Sequence, residues 1–232
     1  MMAERFPVDP TNPGEILACA AITRLAEEET GPNDCGFIQS DARWYFEAPL
    51  PHATLTRLLE TEPREEDGAV WLDDQRLDWF QHPYGLNTGF KFWAGQQSAR
   101  SVLTNLVEAA RTGDPADWLT HEAPTTGRLG VDPQGTWNSL GLGWSVNEHN
   151  RLKYLCRPYV ELLAFLGLQH FPVQGDRGEG FRYHLWQPAP ALIARFAIAG
   201  ASRYSLQGWR TEIAGAGSNR FLKPAHPLRE EP

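Results

Sequence analysis

The sequence predicts an α+β fold: a mixed or antiparallel sheet with several packed helices. Three observations carry this expectation. Apolar residues recur at helical spacing in separated stretches, short alternating runs fall irregularly between them, and no strand–helix alternation or longer repeat organises the chain. Nine Trp, eleven Phe and six Tyr in 232 residues supply the apolar surface that one large domain needs.

The first helix is expected over Pro13 to Glu29. Asn12 is its N-cap, Pro13 suits the first helical position, and Glu15 stands three residues after Asn12 as in a capping box. Leu17, Ala20, Ala21 and Leu25 keep helical spacing, with Arg24 the one break, and Gly31-Pro32-Asn33-Asp34 ends the helix. Strands follow at Cys35 to Gln39 and at Arg43 to Glu47, where Trp44 and Phe46 share a face. A helix at Leu55 to Glu60 leads into an acidic loop at Pro63 to Gly68, then into strands near Ala69 to Leu72 and Leu77 to Gln81. After Gly95, Val102, Leu103, Leu106, Val107 and Ala110 form the second strong helical stripe, which Gly113 and Pro115 stop. The stretch from Thr112 to Gly143 reads as loop-rich. The third strong helix, Pro158 to Leu168, is almost wholly apolar; its Glu161 faces water or pairs, with Arg157 four residues earlier a ready partner. A strand near Phe181 to Trp186, a helix at Ala191 to Ala199 and a strand at Ser202 to Trp209 complete the set, and Pro224 to Pro232 reads as a frayed tail.

One domain is expected over residues 1–232, but its charge is uneven. Residues 1–78 hold 17 acids and 6 bases, whereas residues 151–229 hold 11 bases and 4 acids, within a total of −8. This argues against indiscriminate nucleic-acid binding and permits one basic face. Met1 to Pro13 is polar and Pro-rich, unlike a secretory leader, and no stretch approaches the length of a membrane span. A soluble, cytoplasmic protein is expected, with no membrane partner. Cys19, Cys35 and Cys156 are odd in number and widely spaced, so no cysteine zinc site is expected, and Cys19 and Cys156 read as buried apolar residues. No metal and no cofactor are expected: the seven histidines form no H-x-H or H-E-x-x-H pattern, and Asp73 and Asp74 would point to opposite faces of a strand.

Two kinds of candidate residue emerge. His184 beside Tyr183 has the chemistry of a metal-independent ribonuclease, a base near a ribose hydroxyl, although a half-buried strand accounts for both. The candidates for RNA or anion binding are Lys91, Gln96, Gln97, Arg182, Arg203, Arg210, Gly215, Gly217 and Arg220. Gln96 and Gln97 would sit at a helix N-terminus whose free amides hold an anion, with Lys91 adding charge, or would simply cap that helix. Gly215 to Arg220 reads as a Gly-rich turn through which amides approach a phosphate, or as a plain surface turn. Arg182 lies between Phe181 and Tyr183, Arg203 precedes Tyr204, and Arg210 follows Trp209. Such pairs suit phosphate contact with base stacking, and equally suit amphipathic strands with one buried face.

Four blocks, in order, resemble the Csb/Csx-type CRISPR-associated proteins of subtype I-G (formerly I-U). They are Val8-Asp9-Pro10-Thr11-Asn12-Pro13-Gly14-Glu15 with Ile16 to Cys19; Phe90-Lys91-Phe92-Trp93-Ala94-Gly95-Gln96-Gln97-Ser98; Gly130-Val131-Asp132-Pro133 with Trp137-Asn138 and Gly143; and Pro158 to Gln169. The resemblance implies a part in antiviral defence beside a guide-RNA complex of a type I CRISPR–Cas system, where pairing with the guide reads sequence and protein subunits hold backbones. It implies other CRISPR-associated subunits, and guide RNA, as partners. It also implies a sheet of ferredoxin-like derivation with a late Gly-rich loop, and it carries no catalytic residue to this chain. The expectation is a non-catalytic subunit or accessory protein. The alternatives are a guide-RNA-processing endoribonuclease and a protein-only adaptor whose acidic front docks on a basic partner.

Overall fold

The computed structural model describes residues 3–67, 69–77, 98–125, 128–134, 154–176, 180–216 and 219–229. Helix α1, Pro13–Thr30, starts where Asn12 accepts a hydrogen bond from the Glu15 amide, with Pro13 at its first position. It is buried on nearly every side, because strands cover one flank and a second helix lies against the other. That helix, α4 (Pro158–His170), is buried from Pro158 to Gly167. The two approach so closely that a Cβ on Gly167 would stand 2.1 Å from the Leu17 carbonyl oxygen. Only glycine permits this crossing.

Strand β1, Glu4–Val8, precedes α1, and the hairpin of β2 (Gly36–Ser40) and β3 (Arg43–Ala48) follows it. The sheet order is β1-β3-β2, antiparallel throughout, with Phe6 opposite Phe46 and Phe46 opposite Phe37. This is the split β-α-β arrangement that opens a ferredoxin-like fold. Among the described strands none pairs with the far edge of β1, so the likeness stops at this half. Helix α2, His52–Glu60, leads to a three-stranded antiparallel meander of β4 (Arg64–Glu66), β5 (Ala69–Leu72) and β6 (Gln75–Leu77). The acidic loop expected at Pro63 to Gly68 therefore holds an edge strand. Its charged side chains are all exposed, which suits an edge, and alternation with nothing apolar gave no strand signal.

Helix α3, Ala99–Ala110, is capped by Ser98 and buries the whole stripe Val102, Leu103, Leu106, Val107 and Ala110. Within the stretch expected to be loop, β7 (Ala123–Thr125) pairs with β8 (Tyr154–Cys156). A four-stranded sheet of order β14-β11-β10-β9 ends the chain, built from β9 (Gln174–Asp176), β10 (Gly180–Trp186), β11 (Ser205–Thr211) and β14 (His226–Pro227). Helix α5, Ala191–Ile198, connects β10 to β11, and the hairpin of β12 (Ile213–Ala216) and β13 (Asn219–Leu222) precedes β14. The expected fraying from Pro224 onward is not found over the described residues. Ala225 is buried and its amide donates to Thr11 O at 2.6 Å, while the Leu228 amide donates to Gly208 O at 2.8 Å.

The first and last sheets meet at an antiparallel bridge between Cys35 and Ala189. Trp186 fills the junction: its Nε1 donates to Cys35 O at 3.0 Å and its ring meets Phe37 edge-on at 4.6 Å. One contiguous core runs from Phe6 to Ala225. All three cysteines are buried and free within it. Among the described residues no helix is long and apolar enough to cross a membrane.

Candidate functional site

The end of β1 turns on Asp9, whose Oδ1 accepts from the Thr11 amide at 2.8 Å and from the Thr11 hydroxyl at 2.7 Å. This turn delivers Asn12 and Glu15 to the buried entrance of α1. The capping box is only half formed: Asn12 caps, but the Glu15 carboxylate reaches the Asp9 amide at 2.7 Å and Nη1 of Arg157 at 2.6 Å. Arg157 directly precedes Pro158, which holds it out of the helical region at φ −95° and ψ 89°. Its guanidinium then points into the core, 6 % exposed.

There it meets Asp132 as a fork, Nε to Oδ2 at 2.8 Å and Nη2 to Oδ1 at 2.8 Å, while Nη1 also donates to Leu119 O at 3.2 Å. Asp132 Oδ1 accepts from Asn12 Nδ2 at 2.9 Å and from the Gln134 amide at 3.0 Å. Glu161, the expected partner of Arg157, turns instead to the backbone. Its Oε2 accepts from the amides of Leu129 and Gly130, each at 2.9 Å, and its Oε1 from the Asp132 amide at 3.2 Å. Gly130, at φ +79°, supplies the left-handed step that lets successive amides converge on one anion. The i, i+4 expectation failed because Arg157 lies before the helix, not on its surface.

Two carboxylates thus share one guanidinium, and a third, that of Glu161, is held beside them by backbone amides. Burial raises the pKa of Glu15, and the attraction of Arg157 only partly opposes this. Burial also pushes Glu161 up to about 7, Asp132 adding to the effect against the pull of Arg128 and of the amides. For Arg157 burial acts downward, yet the Asp132 and Glu15 carboxylates more than offset it and its pKa rises. A cleft of about 410 Å³ opens beside the cluster, lined by Asp9, Thr11, Asn12, Gln134, Leu155 and Arg157 among others. The hydrogen bonds of Arg157, Asp132 and Glu161 run to other parts of the chain. The arrangement holds the start of α1, residues 129–134 and the start of α4 in register.

The basic candidates divide. Arg182 and Arg210 are directly opposite one another on β10 and β11. Beyond them in the same row lie Gln174 on β9 and His226 on β14, so four residues cross the sheet side by side. Arg182, Gln174 and His226 are exposed. The aromatic neighbours Phe181, Tyr183 and Trp209 alternate to the other face and are buried, as in the amphipathic-strand alternative and unlike a surface on which bases stack. Arg203 is exposed in the turn before β11, its guanidinium 5.3 Å from the Tyr204 ring centre. Gly215 lies in β12 opposite Arg220 on β13, so the expected Gly-rich loop is a tight hairpin in which Ala216 already pairs with Asn219. Gly217, Lys91, Gln96 and Gln97 lie outside the described residues.

The catalytic pair is separated by the sheet. Tyr183 points into the core and donates to Pro10 O at 2.9 Å, and burial raises its pKa well above the ordinary value. His184 takes the opposite face between two glycines: a Cβ on Gly200 or on Gly208 would come within 2.6 Å of its ring. Burial lowers its pKa and the Ile198 carbonyl opposes the shift. Tyr183 and His184 cannot act on one ribose. Among the described residues no three His, Cys, Asp or Glu side chains form a metal-binding group. Sequence reasoning missed the convergence of Glu15, Asp132 and Arg157. The available signal was that Asn12–Glu15, Asp132 and the start of α4 all lie in or beside the resemblance blocks. Compared with known proteins, the chain matches no family model, no curated protein and no solved structure.

Proposed function

We propose that this chain is a non-catalytic subunit or accessory protein of a type I CRISPR–Cas system, cytoplasmic, holding guide RNA or neighbouring subunits in antiviral defence. The observation that carries the reading is the meeting of three resemblance blocks at one buried cluster. Residues far apart in the chain, Asn12, Glu15, Asp132 and Glu161, come together there with Arg157. Their polar atoms bond to each other and to the backbone, as in a framework and unlike a catalytic centre. The separation of Tyr183 from His184 weighs against the ribonuclease alternative. The row that pairs exposed Arg182 with half-buried Arg210 suits the RNA half of the reading. Leu192 and Phe196, one turn apart on α5 and 64 % and 53 % exposed, suit the protein half.

The test is to express the chain with the proteins encoded beside it and purify it under native conditions. Bound material is then analysed, and repeat RNA is incubated with the chain alone in a chelator. Co-purification with CRISPR-associated subunits and no cutting is the expected result. Metal-independent cutting by the chain alone would overturn the non-catalytic reading. Recovery of the folded chain alone, without subunits or RNA, would overturn the subunit reading.

A further inference from the structure

We infer that the outer face of α5 docks one short helical segment of a partner protein, whose apolar side chains cover Leu192 and Phe196 and whose acidic side chains meet Arg195. The inference rests on the proposed function for the partner's being a subunit of the same complex; the chemistry of the segment follows from α5 itself. Ala191, Ala194, Ala197 and Ile198 bury one face of α5, which leaves Leu192, Arg195 and Phe196 outward at i, i+3 and i+4. Side chains at that spacing form one continuous patch, and its two apolar members are 64 % and 53 % exposed. Among the described residues Leu155, on β8, is the one other large apolar side chain so open, and only α5 sets two of them together.

Charge decides what covers the patch. Residues 180–211 hold four arginines and no acid, so nothing on α5 or on the two strands it joins offsets Arg195. Arg195 is exposed and makes no hydrogen bond or ion pair among the described residues. Helix α1 packs beside α5 and brings acids, but each is engaged. Glu27 accepts from the Ala191 amide at 2.9 Å, Glu28 pairs with Arg24 at 2.8 Å, and Glu29 accepts from the Thr54 amide at 2.8 Å. At the end of α4, His170 is held below its ordinary pKa first by burial and then by repulsion from Arg24 and Arg195, which places basic groups, not acids, on that flank. A second copy of this chain is a poor occupant, because an isologous contact through α5 would bring two Arg195 side chains together. The eight residues of α5 also span only about 12 Å. The open parts of Leu192 and Phe196 fall far short of the roughly 800 Å² per partner that a stable dimer buries. One or two turns of helix suffice to cover them, since apolar side chains at i and i+4 interlock with the same spacing on a facing helix. Acids beside that apolar pair complement Arg195.

The experiment places the photo-cross-linker p-benzoylphenylalanine at Phe196, and separately at Leu192, in the full chain co-expressed with the proteins encoded beside it. After irradiation the cross-linked peptide is identified by mass spectrometry, and thermal unfolding confirms that each variant is folded. The expected result is a cross-link from both positions to one segment of a subunit, with apolar residues one turn apart and an excess of Asp and Glu. Arg195→Glu should then lower the yield of that cross-link by about five-fold, as an attraction at the edge of the contact becomes a repulsion, while Arg195→Lys keeps it within about two-fold. Replacing the facing acid of the segment by Lys should restore the yield in Arg195→Glu. Cross-links to a second copy of this chain, or to a segment without acids, overturn the inference, as does a yield that Arg195→Glu leaves unchanged. Subunits that purify with the chain but cross-link from neither position, or RNA recovered without any subunit, defeat this inference alone. Recovery of the folded chain without either defeats the proposed function with it.

Discussion

Replacing Arg157 by methionine keeps much of its apolar stem and removes the charge that Asp132 and Glu15 share. In the wild type the guanidinium makes two bonds to Asp132, one to Glu15 and one to the Leu119 carbonyl, all buried. Breaking one side of a buried ion pair costs about 3–5 kcal/mol, mostly because the other charge is stranded. For a chain of this size each kcal/mol lowers Tm by about 2–4 °C, so a fall on the order of 10 °C is expected. The deficit has a pH signature. Burial already raises the Glu15 pKa, and removing the Arg157 attraction raises it further. A carboxyl whose folded pKa lies above its unfolded value contributes stability at low pH that is lost as pH rises through the folded value. The gap between Arg157→Met and wild type is therefore expected to widen as pH rises above the ordinary carboxylate value of 4.5, measured by urea unfolding monitored through tryptophan fluorescence. A second variant replaces Arg157, Asp132 and Glu15 together by apolar residues and is expected to recover much of the loss. A deficit below about 1 kcal/mol that does not change with pH would refute the argument that the cluster is the chain's internal tie.

Further outcomes are expected. Glu161 titrates near 7 when folded, against an ordinary 4.5, a difference worth about 3 kcal/mol; wild-type stability should decline from about pH 4.5 to 7 on its account. Glu161→Gln should flatten that slope, and an unchanged slope would show that another group sets it. Gly167→Ala places a methyl group on the Leu17 carbonyl oxygen and should cost about 1–3 kcal/mol or more, as overpacking does, seen as a lower urea midpoint. A variant as stable as wild type would mean that α1 and α4 can separate freely. Leu192→Ser with Phe196→Ser should leave Tm nearly unchanged, because both side chains are exposed, and should reduce recovery of partner proteins. A large fall in Tm would show that these residues serve the fold.

Periodicity located α1, α3 and α4 because each buries an apolar stripe or an apolar whole, and cap chemistry at Asn12 and Pro13 placed the first boundary correctly. Strand β4 escaped notice because Arg64, Glu65 and Glu66 are all exposed, so its pairing rests on backbone bonds that leave no hydrophobic pattern. Strand β14 was hidden for a similar reason: His226 and Pro227 are exposed, and only the register with Arg210 and Trp209 defines it. The candidate site was legible in pieces. Local spacing alone makes Asn12 a cap and Arg157 the natural partner of Glu161. Nothing local could reveal that Arg157 would choose Asp132 and Glu15, 25 and 142 residues away, because that choice depends on how β1, α1 and α4 pack. On β10 and β11 the alternation of Arg with aromatic residues was seen, but which face is buried became clear only from the register.

The partnership of Glu15 with Arg157 also sets a timetable for synthesis. The two are separated by 142 residues. At about 5–20 residues per second a ribosome takes roughly 7–30 s to add that span. Once α1 has left the ribosome, it waits for the rest of that interval with an apolar surface on almost every side and a carboxylate whose cation does not yet exist. The tie from Ala225 to Thr11 comes later still. The nascent chain thus carries α1 unsheltered until α4 is made, and its yield in cells should depend on chaperones that cover α1 until α4 arrives.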